Sequence, residues 1–281
     1  MKTRIISAAV MISVVIAALL AGKLIPGGGV IITVFIAVIC GIAIFELLNN
    51  ALKIESLPVC LTATVYGVFM IFLLDKNMFA ASENGNIAAF FEKVPTVLTV
   101  IYFLAAVAII ILKQKDFDLP KIFGFTAFPF LIAYAFSTIN GIISFDKGIY
   151  YLLLLVNFSS ICDTGAYFTG SFFGKHKLCP EVSPKKTVEG AIGGIVSSLV
   201  VSLILAFFFG DRGHLLVTLA ATILLCVAGM FGDLFASIIK RRAGIKDYGD
   251  LIPGHGGILD RFDSMLLIAP LLYMFMELGA I

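Results

Sequence analysis

The chain has 281 residues, of which 60% are hydrophobic and only 14% charged, with a formal net charge of +2. A soluble domain carries roughly 25% charged residues, so this composition excludes an ordinary soluble fold. Its apolar runs far exceed the roughly 10 residues of a membrane strand, which predicts an all-α polytopic membrane protein.

A membrane-spanning helix needs about 20 apolar residues. Nine segments meet or approach that: 5–22, 28–49, 57–74, 95–112, 122–144, 149–169, 189–210, 214–236 and 264–280. Residues 1–22 also resemble a signal peptide, with Lys2 and Arg4 as its charged start. The last segment is short, so tilt or local thinning of the bilayer is expected there. Of the 20 Lys and Arg, 15 fall on the side of the N-terminus and five on the other. By the positive-inside rule the N-terminus is then cytoplasmic and the C-terminus outside. We divide the chain into spans one to four (1–121) and spans five to nine (122–281). The second part carries the cytoplasmic loops 170–188 and 237–263. The stretch 75–94 reads as a weak outer loop with an interfacial helix at 87–93.

Cys40, Cys60, Cys162, Cys179 and Cys226 are scattered, with no metal-ligand spacing, and read as buried apolar side chains. Glu46 lies near the cytoplasmic end of span two and reads as an interfacial anchor.

Span six holds Asp163 inside an apolar helix. Such a carboxylate either bonds to a neighbouring helix or marks a functional site, and intramembrane carboxylates favour the second. The loop after it carries Lys185 and Lys186. They are either ordinary loop charges or, with Pro184 and Thr187 marking a helix start, an anion cradle with backbone N–H groups. Span eight ends in Asp233, Ser237 and Lys240, which share one helical face. An Asp233–Lys240 contact would account for two of these, but not for Arg241, Arg242 and Lys246 that follow.

Residues 237–263 read SIIKRRAGIKDYGDLIPGHGGILDRFD. Charge this dense beside a membrane calls for water, a metal or an anionic ligand. Gly254, Gly256 and Gly257 form a side-chain-poor loop that lets backbone approach a ligand. His255 within it binds phosphate or fixes the loop. Asp260 and Asp263 share a face if the last helix begins by residue 259. Carboxylates there suit Mg²⁺, which binds through one or two carboxylates plus substrate phosphates.

At this point the run resembles the signature of the phosphatidate cytidylyltransferase (CDP-diacylglycerol synthase) family. Its pattern is met by Ser237, Lys240, Arg241, Lys246, Asp247, Gly249, Pro253, Gly254, His255, Gly256, Gly257, Asp260, Arg261 and Asp263. Asp163, Ala166 and Tyr167, then Ser183 to Thr187 with Glu189 and Gly190, are also similar to that family. The resemblance covers about 160–264. Tyr248 stands where Phe is frequent.

The resemblance implies a magnesium-dependent transfer from CTP to phosphatidic acid, giving CDP-diacylglycerol and pyrophosphate. It implies a metal centre at Asp233 and Asp260 that pairs Mg²⁺ with a monovalent cation such as K⁺. Asp163 and Asp263 are further metal-site candidates. Lys240, Arg241, Lys246 and Arg261 would hold the triphosphate or the lipid phosphate, and Lys185 and Lys186 would close the phosphate site. Asp247 and His255 complete the catalytic set, with Gly254, Gly256 and Gly257 binding ligand through backbone.

Two other readings stand beside this one. A related CTP-dependent transferase could act on another lipid phosphate or a polyprenol. A cation-coupled transporter would use Asp163 and Asp233 as an ion path, but such folds show internal repeats and none is visible. The expected partners are CTP, phosphatidic acid and membrane lipid, with no nucleic acid. Glycine-lined helices permit a homodimer. The short chain, without an extended N-terminal tail, points to a bacterial plasma membrane.

Overall fold

The computed structural model describes residues 2–75, 85–209 and 212–281. Helix α1 runs Lys2–Leu24, α2 Gly29–Glu46, α3 Leu57–Leu74, α4 Gly85–Leu112 and α5 Leu119–Ser144. Then come α6 (Gly148–Val156), α7 (Cys162–Phe173), strands β1 (Lys177–Cys179) and β2 (Ser183–Thr187), and α8 (Val188–Phe208). The chain finishes with α9 (Leu215–Arg242), the single turn α10 (Leu259–Phe262) and α11 (Met265–Glu277). Among the described residues, eight helical segments are long and apolar enough to cross a membrane, and α11 is a shorter apolar helix. At 1.5 Å per residue its 13 residues reach about 20 Å, less than the roughly 30 Å hydrocarbon core.

The helices follow from unbroken apolar sequence, because in lipid every backbone polar group must be bonded within its own helix. Residues 76–84 of the expected outer loop 75–94 lie outside the described residues. Its interfacial helix at 87–93 is instead the first part of α4, which continues through Pro95 to Leu112. Val97, Val100, Ile101, Leu104 and Ile111 form an exposed apolar stripe on α4, as expected of a lipid-facing side.

The chain divides into two compact units. The first comprises Met1–Ser144 and Ala243–Arg261. In it α2 packs against α1, α3 and α5, and α3 also packs against α4. Ile32, Ile36, Cys40, Ala43 and Ile44 of α2 are buried at helical spacing. Two polar ties cross this packing: Thr33 Oγ1 donates to Asp75 (2.6 Å), and Asn140 Nδ2 donates to Thr33 Oγ1 (3.2 Å). After Glu46, α2 widens into a π-turn over Leu47–Ala51.

The second unit comprises Phe145–Arg242 and Phe262–Ile281. Helices α6 and α7 form one span joined by a π-turn at Asn157–Ile161. Helix α8 lies along α7 at close range. A Cβ on Gly193 would fall 2.1 Å from Thr169, and one on Gly194 would fall 2.6 Å from the Cys162 carbonyl. Small residues permit this approach where lipid supplies no hydrophobic drive between helices. Asn157 Nδ2 donates to the Ser198 carbonyl and to Ser202 Oγ, tying the π-turn to α8. Helix α9 packs on α8 and α11. Gly229 and Gly232 take that contact, meeting Ile268 and the Asp263–Ser264 backbone. All five cysteines are free, four of them buried and Cys179 half-buried.

Candidate active site

In the first unit the loop after Ala243 folds on two carboxylates. Asp260 is buried, and its Oδ2 accepts from the backbone N–H of Tyr248 (2.7 Å) and Gly257 (3.0 Å). Between those two points the chain makes a tight turn: Ile252 N–H donates to the Gly256 carbonyl (2.9 Å), and His255 N–H to that of Ile252 (2.8 Å). Gly254 and Gly256 hold φ of +79° and +83°, a conformation that disfavours any side chain. A cavity of about 470 Å³ opens on this loop, lined by Lys246, Asp247, Asp250, His255, Gly256 and Arg261 among others. Lys246 and Arg261 stand there with exposed glycine backbone, which suits phosphate, beside the carboxylates Asp247 and Asp250, which suit a bridging cation. His255 Nδ1 lies 2.8 Å from Ser7 Oγ of α1, so its ring is held from outside the loop.

The second carboxylate is Glu46, at the end of α2. It is 5% exposed and accepts from the N–H groups of Ile258 (3.0 Å) and Leu259 (2.9 Å). It is therefore a buried loop support and not an interfacial anchor. The sequence signal existed: Glu46 is a carboxylate in an apolar span, the same feature that singled out Asp163.

In the second unit a cavity of about 590 Å³ is lined by Asp163, Tyr167, Lys177, Lys185, Lys186 and Asp233, with others. Lys186 Nζ pairs with Asp233 Oδ2. Lys240 pairs with Asp263 at 3.4 Å, so Asp233 and Lys240 engage these partners and not each other. Burial and then the Asp233 carboxylate push the Asp263 carboxyl up to about 6, against the pull of Lys240 and the Ser264 N–H. Arg241 is exposed on the last turn of α9, where positive charge complements the helix C-terminus.

Two local expectations are corrected. Pro184, Lys185 and Lys186 do not start a helix; they lie on β2, which pairs antiparallel with β1. Helix α8 begins at Val188, directly after Thr187, whose hydroxyl caps it by accepting from Gly190 N–H (3.1 Å). The lysines therefore project from a hairpin. Glu189 secures the base of that hairpin by accepting from the N–H groups of Lys175 and His176. Second, Asp260 and Asp263 do not share one continuous helix. Helix α10 ends at Phe262, and a turn at residues 263–264 separates it from α11.

The structure thus gathers Lys246, Asp247, Gly254, His255, Gly256 and Arg261 at one cavity, with Gly257 and Asp260 supporting its loop. It gathers Asp163, Lys185, Lys186 and Asp233 at the other, with Lys240 and Asp263 as a separate pair of that unit. Among the described residues, no three His, Cys, Asp or Glu side chains form a group able to hold a metal alone. Asp163 and Asp233 in one cavity nevertheless form an all-oxygen donor pair, the kind that hard Mg²⁺ uses together with substrate phosphates.

Known proteins resemble this chain over nearly its whole length. A family model described as "Cytidylyltransferase family" matches residues 2–279. A phosphatidate cytidylyltransferase of Staphylococcus saprophyticus is 34% identical over 276 residues, 97% of each chain. One from Staphylococcus aureus (strain COL) is 33% identical over 277 residues, again 97% of each. One from Staphylococcus haemolyticus is 46% identical over 127 residues, 45% of this chain and 49% of that one. The signature at 237–263 agrees with the two matches that cover 97% of each chain, and the chain belongs to the phosphatidate cytidylyltransferase family.

Proposed function

We propose that this membrane enzyme transfers the cytidylyl group of CTP to phosphatidic acid, releasing pyrophosphate and forming CDP-diacylglycerol. One observation carries the reading: Asp163 and Asp233 share a cavity with Lys185 and Lys186, in a chain whose relatives are named for this activity. The attacking atom is a phosphate monoester oxygen. Its second pKa is near 6, so it is mostly ionised at pH 7 and needs no strong base. That oxygen forms a bond to the α-phosphorus of CTP while the bond to the β-phosphate bridge breaks, and pyrophosphate leaves with the electron pair.

The main obstacle is repulsion between two polyanions, so positioning and charge screening carry the catalysis. Lys246 and Arg261, with the backbone around Gly254 and Gly256, are proposed to hold the triphosphate. Lys185 and Lys186 are proposed to hold the lipid phosphate. Their cavity includes Tyr167, which is 70% exposed on a membrane-spanning helix and gives the acyl chains an apolar approach. Lys240 and Arg241 add positive charge, and Asp247 and His255 line the nucleotide cavity.

Asp233, with Asp163 beside it, is proposed to hold Mg²⁺. Metal roles for Asp260 and Asp263, and a second, monovalent cation, remain part of the proposal. Bound Mg²⁺ would neutralise phosphate charge and orient the reacting groups. The cavities are proposed to face the cytoplasm, which fits the 15 cations on that side and the location of CTP.

Purified protein in nanodiscs, given CTP and phosphatidic acid, is expected to release pyrophosphate. Release should require both substrates and Mg²⁺ and should stop on chelation. Folded protein that releases none under these conditions contradicts the proposal.

A further inference from the structure

Helix α2 belongs to the half of the chain without recognisable signature residues, yet its end reaches the signature loop. Glu46 and Asn50 are four residues apart: Glu46 directly precedes the π-turn and Asn50 lies within it. Glu46 takes the N–H groups of Ile258 and Leu259, one on each oxygen. Asn50 Nδ2 donates to the Tyr248 carbonyl (2.5 Å), while the N–H of the same residue goes to Asp260. The loop is shaped around this support. A Cβ on Gly257 would fall 2.4 Å from Glu46 Oε2, and one on Gly249 would fall 2.6 Å from Oε1. The loop glycines are therefore needed here for close approach to a carboxylate, beyond the positive φ of Gly254 and Gly256. A π-turn at the junction fits this use, since such turns recur at functional sites.

We infer that Glu46 and Asn50 are positioning residues, which set the loop so that Lys246 and Arg261 line the nucleotide cavity. The inference rests on the proposed cytidylyl transfer only for its kinetic arm. A misplacement of about 1 Å can cost on the order of 10²-fold in rate. Glu46→Gln keeps size and shape but turns an N–H donor toward the backbone N–H of Ile258 or Leu259. It is expected to raise KM for CTP about tenfold and to leave KM for phosphatidic acid within twofold. Gly257→Ala pushes on the same contact from the loop side and is expected to do the same. If both act through that contact, the double variant costs little more than either single one.

The structural arm is amide hydrogen exchange on the full chain in nanodiscs. Ile258 and Leu259 are expected to be protected in the wild type. They should lose protection in Glu46→Gln, while α3 and α9 keep theirs. Loss at Ile258 and Leu259 alone supports the inference, even if the wild type shows no cytidylyl transfer. Wild-type protection there, with wild-type KM for CTP, overturns it. Should Glu46→Gln fail to fold, Asn50→Asp is read in its place, with Tyr248 and its neighbours as the exchange probe. A reduction confined to kcat, with the loop still protected, also overturns it, because that is the mark of a smaller folded fraction.

Discussion

Asp260→Asn is expected to lower kcat/KM for cytidylyl transfer on the order of 10³-fold while the loop stays folded. The two effects separate because of how this carboxylate is used. Its Oδ2 accepts from the N–H groups of both Tyr248 and Gly257. An asparagine carbonyl can accept both of those bonds, so the turn is kept and the negative charge is lost. The check is turnover alongside amide exchange at Tyr248 and Gly257. Near-normal turnover would remove Asp260 from any metal role. Lost protection together with lost turnover would make it a loop support alone.

The second large effect concerns Lys186 and Asp233. Each faces the cavity of the second unit and each neutralises the other. Removing one partner leaves a charge in a partly dehydrated place without its counterpart, which is costly. Asp233→Asn and Lys186→Gln are each expected to reduce kcat/KM by about 10²- to 10³-fold. The double variant should be little worse than the poorer single one, since groups that act as a unit are strongly non-additive. Effects that multiply would show that the two residues act independently. Lys185→Gln, a neighbour in the same cavity, is the comparison for loss of one cation.

These expectations show what the residues disclosed by themselves. The long apolar runs made a helical membrane protein legible, because a bilayer leaves few other solutions. The signature run disclosed the family, since 14 specified positions at fixed spacing tolerate little else. It did not disclose its own support. Glu46 and Asn50 lie about 200 residues before the loop they hold, and no local periodicity reports such a contact. The hairpin was missed for a different reason. Pro184 and Thr187 are turn and cap residues, and a helix start can use both. Only Thr187 serves as the cap, while Pro184 lies within a two-stranded ribbon where a missing N–H is tolerated. The break at 263–264 was also hidden, because Asp260 to Ser264 contains no glycine or proline to announce the end of α10.

The most direct test of the account follows the label from CTP into lipid. Purified wild-type protein is incubated with phosphatidic acid, Mg²⁺ and CTP labelled at either the α- or the γ-phosphorus. Cytidylyl transfer predicts that the lipid fraction gains label only from α-labelled CTP, and that γ-label leaves as pyrophosphate. Label from γ-labelled CTP in the lipid, or no lipid label from either with the protein folded, would contradict it.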